Sequence, residues 1–166
     1  MAKLYFRYGA MGSSKSSNAL MVAFNYYEKG QKALLLKPSV DKRDGDRVIS
    51  SRIGLSQECE LVEDIMDEEG LFDERIKNGE FDAIIVDEAQ FLSKWQVDVF
   101  TEIADYCNIP VLCYGLRTDF QGNFFEGSEA LMQVSDNIEE IKTICWCGKK
   151  ATYNARYNEN GIVREG

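Results

Sequence analysis

The 166-residue chain contains no histidine. That removes Ser-His and Cys-His nucleophilic pairs and every metal site built on imidazole, so a general base working at neutral pH has to be a carboxylate, a lysine or a cysteine. Long apolar runs are also missing, with no window near the roughly 18 consecutive apolar residues that a membrane-spanning helix requires. The opening residues MAKLYFRYGAMG set Arg7 inside too short an apolar stretch for a secretory signal, so the cytoplasm is the expected location. Positive charge is in deficit: 19 Lys and Arg stand against 28 Asp and Glu, a net charge of −9. A polynucleotide partner is held by clustered basic residues, so no nucleic acid polymer is expected among the partners. A small anion is still admissible, because inward-turned backbone N–H groups bind phosphate even inside an acidic protein.

What is present is ordinary for a globular domain, with 45% hydrophobic and 28% charged residues. Without an export signal, the five cysteines (Cys59, Cys107, Cys113, Cys145, Cys147) are expected as reduced thiols. Cys107 and Cys113 adjoin or lie within apolar runs and read as buried small hydrophobes.

Along the chain, KLYFRYG (3–9) is aromatic-rich and ends in glycine, which predicts a first strand. KSSNALMVAFNYYEKG follows, and Leu20, Phe24 and Tyr27 at three- and four-residue spacing predict a helix with that apolar stripe. KALLLKP (32–38) is an unbroken apolar run suited to a strand covered on both faces. Polar residues 41–56 predict a loop with a short strand near 48–50, and 67–80 reads as a helix closed by Asn78-Gly79. FDAIIVDEAQFL holds a second buried strand running into two acids, and IPVLCYGL a third. Between them, Ser93 and Gln96 stand at capping-box spacing, and Val97, Phe100, Ile103 and Ala104 share one face of a predicted helix. Apolar strands alternating with helices predict a parallel sheet covered on both faces, an α/β nucleotide-binding domain over residues 1–138. A helix around SEALMQVSD closes that domain. Residues 139–166 read as short strands and tight turns, a small separate lobe.

Between the first strand and the first helix lies YGAMGSSKSS. Its outline is that of G-x-x-x-x-G-K-[ST], whose backbone N–H groups cradle phosphates in front of a helix N-terminus. On this reading Gly9, Ala10, Met11, Gly12, Ser13 and Ser14 form the cradle of an ATP site, Lys15 reaches the β- and γ-phosphates, and the Ser16 hydroxyl ligates Mg²⁺. Ser14 stands where the pattern has its second glycine. If that position requires a positive φ, serine costs about 1 kcal/mol of backbone strain there. Further along, AIIVDEAQF puts acids at the carboxyl end of a buried strand, the edge where open α/β sheets bind ligands. Asp87 suits the Mg²⁺-associated partner of such a loop, and Gln90 is grouped with the phosphate contacts. A carboxylate at Glu88 serves either to polarise water, as in a non-transferring ATPase or nucleotide-sensing module, or to take the proton of a substrate hydroxyl.

Five stretches, YGAMGSSKS, KPSVDKRDGDRVISSRIG, IIVDEAQFL, VLCYGLRTDFQGNFFEGS and ICWCGKKATYNAR, closely resemble in order and spacing the type II thymidine kinases, the tetrameric, zinc-containing class that includes the cytosolic enzyme. The resemblance covers residues 3–156. It implies a RecA-like P-loop sheet flanked by helices with a small zinc-ribbon-like C-terminal lobe, a homotetramer, and transfer of the γ-phosphoryl group of ATP to the 5′-hydroxyl of thymidine. It implies that Glu88 is the catalytic base and Asp87 the Mg²⁺-associated acid. Met11, Phe91 and Leu116 match positions that line the thymine pocket, with Phe91 stacking on the base; Tyr153 and Asn154 lie where the lobe meets the nucleoside. Taken alone, Phe91 and Leu116 read as core residues. Asp41 and Arg43 match a D-x-R pattern at the active-site edge, and taken alone they read as a solvated loop.

Cys145-Trp146-Cys147, followed by Gly148, has the form of half a structural zinc site, a thiol pair on a tight turn that needs two further ligands. The family carries a second ligand pair further on, which these residues do not contain. The expectation is a polypeptide that extends past Gly166 and binds one zinc per chain.

Overall fold

In the computed structural model, which describes residues 1–10, 14–40 and 47–142 and the backbone of 156–158 and 161–163, the unbroken apolar runs become the middle of a parallel sheet. The elements run β1 (Leu4–Tyr8), α1 (Lys15–Glu28), β2 (Ala33–Lys37), β3 (Val48–Ser50), β4 (Ser56–Glu58), β5 (Glu60–Leu61), α2 (Val62–Ile65), α3 (Glu74–Lys77) and β6 (Ala83–Val86). After a 3₁₀ turn (Ala89–Phe91) come α4 (Lys94–Tyr106), β7 (Val111–Gly115), α5 (Glu126–Val134), β8 (Asn137–Glu140), β9 (Arg156–Asn158) and β10 (Gly161–Val163). Among the described residues the main sheet has the order β5-β2-β6-β7-β1-β8, every pairing parallel. β7 separates β1 from β6, the RecA-like arrangement, so the loop after β1 and the acids after β6 reach one edge from strands that are not neighbours. Two antiparallel pairs, β3 with β4 and β9 with β10, stand outside it.

Alternate residues of the central strands supply two cores because successive side chains point to opposite faces. Leu34, Leu36, Ile84, Val86 and Cys113 pack with Val62 and Ile65 of α2, Val97, Phe100 and Ile103 of α4, and Leu131 of α5. Leu35, Ile85, Leu112 and Tyr114 pack on the other side with Ala19 and Leu20 of α1 and Ile49 of β3. Covering both faces with helices is what allows the strands to be apolar throughout. α4 is the helix the spacing predicts: Gln96 Oε1 accepts the Ser93 N–H at 2.9 Å, and Val97, Phe100, Ile103 and Ala104 are buried. Cys113 is buried, and that burial pushes its thiol pKa up, while Cys107 at the end of α4 is half-buried; neither is in a disulfide.

Three elements differ from expectation. α1 is rotated: Phe24 and Tyr27 are 57% and 76% exposed, whereas Ala19 and Leu20 are buried and Ala23 and Tyr26 pack beside them. Small residues at 19 and 23 let the helix approach the sheet, and the same rotation turns buried Lys15, four residues before Ala19, toward the sheet edge. Residues 67–80 form a helix only over Glu74–Lys77. Upstream, Asp67 Oδ1 accepts the N–H groups of Glu69 and Leu71, both at 3.0 Å, and Gly70 turns at φ +84, so the side chain captures donors a helix would need. Finally, β8, a strand the local pattern does not predict, extends the main sheet through Glu140 alongside β1. Among the described residues, no helix is long and apolar enough to cross a membrane.

Candidate active site

The carboxyl edge of the sheet gathers the ends of β1, β6 and β7. β1 delivers Gly9, whose N–H donates to Gly115 O at 3.2 Å and ties the start of the loop to β7. Ala10 is buried, and its carbonyl accepts Lys15 Nζ at 2.8 Å, so the lysine folds back from the first position of α1 toward the end of β1. Lys15 is only 8% exposed. Ser14 caps the helix with φ −83 and ψ 38, and its carbonyl accepts Asn18 N–H at 2.8 Å. Positive φ is therefore not required there, and the strain expected of a serine in place of glycine does not arise.

Ser16 Oγ donates to Asp87 Oδ2 at 2.7 Å, joining the loop to the acid that follows β6. The Asp87 N–H is held by Leu36 O at 2.9 Å, so the residue continues the ladder to β2 and is 4% exposed. Burial, reinforced by the charge of Glu88, raises its carboxyl pKa to about 6; the Ser16 hydroxyl, a backbone N–H and Lys15 pull the other way. Glu88 itself adopts φ +52 and ψ +39, a left-handed conformation that costs a non-glycine residue roughly 1 kcal/mol or more. The conformation reverses the chain at once into the 3₁₀ turn, closed by Phe91 N–H on Glu88 O at 3.1 Å.

Gln90, 2% exposed, lies within that turn. Its Nε2 donates to Glu88 Oε2 at 2.5 Å, and its Oε1 accepts Leu116 N–H at 3.1 Å. Both of these bonds run to protein groups. The Leu116 carbonyl accepts from Ser128 Oγ of α5. Phe91, 42% exposed, meets the edge of Phe125 with ring centroids 5.7 Å apart and planes at 80°. Phe91 thus follows Gln90 in the turn, and Leu116 is tied to the same glutamine through its N–H.

A family model for thymidine kinase matches residues 2–165. The chain belongs to the thymidine kinase family. It is 45% identical over 170 residues to the thymidine kinase of Mannheimia succiniciproducens, an alignment that covers all of this chain and 86% of that protein. With the thymidine kinase of Xanthomonas axonopodis pv. citri the identity is 48% over 168 residues, covering all of this chain and 80% of the relative. Among solved structures, the Pif1 helicase from Candida albicans matches with a TM-score of 0.50 at 15% identity; the match covers 87% of this chain, which spans 36% of the helicase chain. That likeness concerns the fold alone.

The site thus brings together Gly9, Ala10, Ser14, Lys15, Ser16, Asp87, Glu88, Gln90, Phe91 and Leu116. Met11, Gly12 and Ser13 of the loop, Asp41 and Arg43, Tyr153 and Asn154, and the thiols Cys145 and Cys147 lie outside the described residues. Among the described residues no cluster of three or more metal-ligating side chains occurs. Sequence reasoning missed the supports. Arg7 Nη1 donates to Tyr114 Oη and Tyr114 Oη to Asn18 Oδ1, both at 2.7 Å, tying β1, β7 and α1 together behind the loop. Gly115 and Gly127 permit close approach: a Cβ on the first would lie 2.7 Å from Gln90 Oε1, and one on the second 2.8 Å from Leu92 O. The glycine after VLCY was the one visible signal.

Proposed function

We propose that the chain transfers the γ-phosphoryl group of ATP to the 5′-hydroxyl of thymidine, giving thymidine 5′-monophosphate. The observation that carries this is the Ser16–Asp87 contact, with Lys15 and Glu88 beside it, in a chain matched over residues 2–165 by the thymidine kinase family.

A primary hydroxyl is a weak nucleophile, so Glu88 takes its proton as attack on the γ-phosphorus proceeds. Lys15 neutralises charge on the phosphates, and the loop and helix N-terminus hold them in line. A hydroxyl and a buried carboxylate meeting at 2.7 Å offer hard oxygen ligands, so Ser16 and Asp87 fit Mg²⁺. Bound with ATP, that ion supplies charge neutralisation at the transferring phosphoryl group. Phe91 and Leu116, with Met11, Tyr153 and Asn154, form the thymine pocket in this reading, and Asp41 and Arg43 its edge.

The reading extends to a structural zinc held in part by Cys145 and Cys147 and to a homotetramer acting in the cytoplasm. Its support there is the sequence resemblance. Metal analysis of the purified protein should find one zinc per chain, and its loss when both cysteines become serine.

Incubation with γ-labelled ATP and each nucleoside in turn should place the label on thymidine. Free phosphate alone would favour an ATPase that transfers to no nucleoside. Glu88→Gln should lower kcat by about 10²–10⁴-fold while ATP still binds; unchanged turnover would remove Glu88 as the base.

A further inference from the structure

We propose that Gln90 is a positioning residue for this phosphoryl transfer, holding the Glu88 carboxylate in its working orientation and at a fixed offset from the Leu116 wall of the acceptor pocket. The inference rests on Glu88 being the base, and goes beyond it by assigning what aims the base.

Four observations carry it. The two ends of one amide are used in opposite senses, with Nε2 donating to Glu88 Oε2 at 2.5 Å and Oε1 accepting the Leu116 N–H at 3.1 Å. A glutamine oriented by both ends cannot flip without losing both bonds, so the arrangement has one sense only. Gln90 is 2% exposed, and a Cβ at Gly115 would lie 2.7 Å from its Oε1 and 2.9 Å from its backbone nitrogen, so the fold has left room for this amide alone. The far side of the bridge is anchored as well: the Leu116 carbonyl accepts from Ser128 Oγ, so both peptide groups flanking the Leu116 Cα are held. Glu88 meanwhile has its backbone set in the left-handed region, which fixes where its side chain starts but leaves three side-chain torsions to be chosen. The Gln90 donor selects among them. A base must lie within hydrogen-bond reach of the proton it removes, and small displacements of such a group cost large factors in rate.

The test is a double-mutant cycle read in kcat and KM. Gln90→Glu keeps the side-chain shape and an acceptor for the Leu116 N–H but replaces the donor facing Glu88. Gln90→Met removes both bonds at similar length. Both should lower kcat at pH 8 by about 10–100-fold, leaving the KM for ATP within about threefold, with thermal unfolding confirming a folded protein. On the Glu88→Gln background, Gln90→Met should lower kcat less than twofold further, because the group it aims is gone. The idea is overturned if Gln90→Glu retains kcat within twofold. It is overturned equally if the Gln90→Met loss multiplies in full on Glu88→Gln, which would mean an action independent of the base. If Gln90→Met does not fold, Gln90→Glu alone decides. Full turnover in Glu88→Gln itself would instead remove the base assignment on which the inference stands, an outcome read separately from the Gln90 variants.

Discussion

On the proposed reading Asp87 combines two roles that conflict in the absence of a cation: it is a Mg²⁺ partner, and it is buried. Its folded pKa of about 6 exceeds the ordinary 3.8, so between those values the folded protein binds more protons than the unfolded chain. Its contribution to stability therefore falls as pH rises from 3.8 to about 6 and then stays level. Asp87→Asn removes this slope. Without Mg²⁺ and nucleotide, the variant should gain about 1–3 kcal/mol over the parent at pH 7.5 relative to pH 4, read as Tm against pH. It should also lose the Tm rise that Mg²⁺-ATP gives the parent. Parallel pH curves for the two proteins would show that burial does not govern this carboxyl. The residues that carry charge at the site were legible, because a Lys-Ser pair before a helix and a paired acid after an apolar strand have few other uses together. The partners of Gln90 were not: nothing in the sequence shows that an amide two residues past Glu88 is buried and bonds both Glu88 and the Leu116 N–H.

The elements that build this edge depend on how closely they approach one another. α5 sits against the 3₁₀ turn through Gly127, where a Cβ would lie 2.8 Å from Leu92 O and still closer to Ala89 O. Both neighbours are backbone and cannot swing aside. Gly127→Ala should therefore push α5 from the turn, destabilise the protein by about 1–3 kcal/mol and lower Tm by several degrees. Since Ser128 holds Leu116 from the same helix end, kcat should fall as well; a variant with parent Tm and kcat would show that the helix yields freely. The legible elements were those whose burial is written in the local pattern: β2, β6 and β7 as unbroken apolar runs, α4 by its cap and stripe. The others were decided by partners elsewhere. β8 is an edge strand of sequence NIEE with no apolar face, formed because β1 offers it a ladder. The rotation of α1 follows from alanines able to approach the sheet, a packing property that a stripe of larger side chains concealed.

At the scale of the whole molecule, net charge bears on the choice of partner. The fold likeness to a helicase structure, at a TM-score of 0.50 and 15% identity, says nothing about what the surface binds. The net charge of −9 bears on it directly. Attraction to a polynucleotide comes from basic groups displacing condensed counterions, and the excess of 28 acids over 19 basic residues works against it. A single nucleotide is different: Lys15 and the N–H groups at the start of α1 act within one loop, at distances shorter than the roughly 8–10 Å over which salt screens the remaining charge. The expected outcome is selective for size. A labelled 20-nucleotide single strand should show no change in anisotropy up to about 10 µM protein at 0.1 M salt, and ATP turnover should not respond to added DNA. Saturable binding in that range, weakening as salt rises, would reveal a basic track strong enough to overcome the net charge, and the partner class inferred from composition would have to be abandoned.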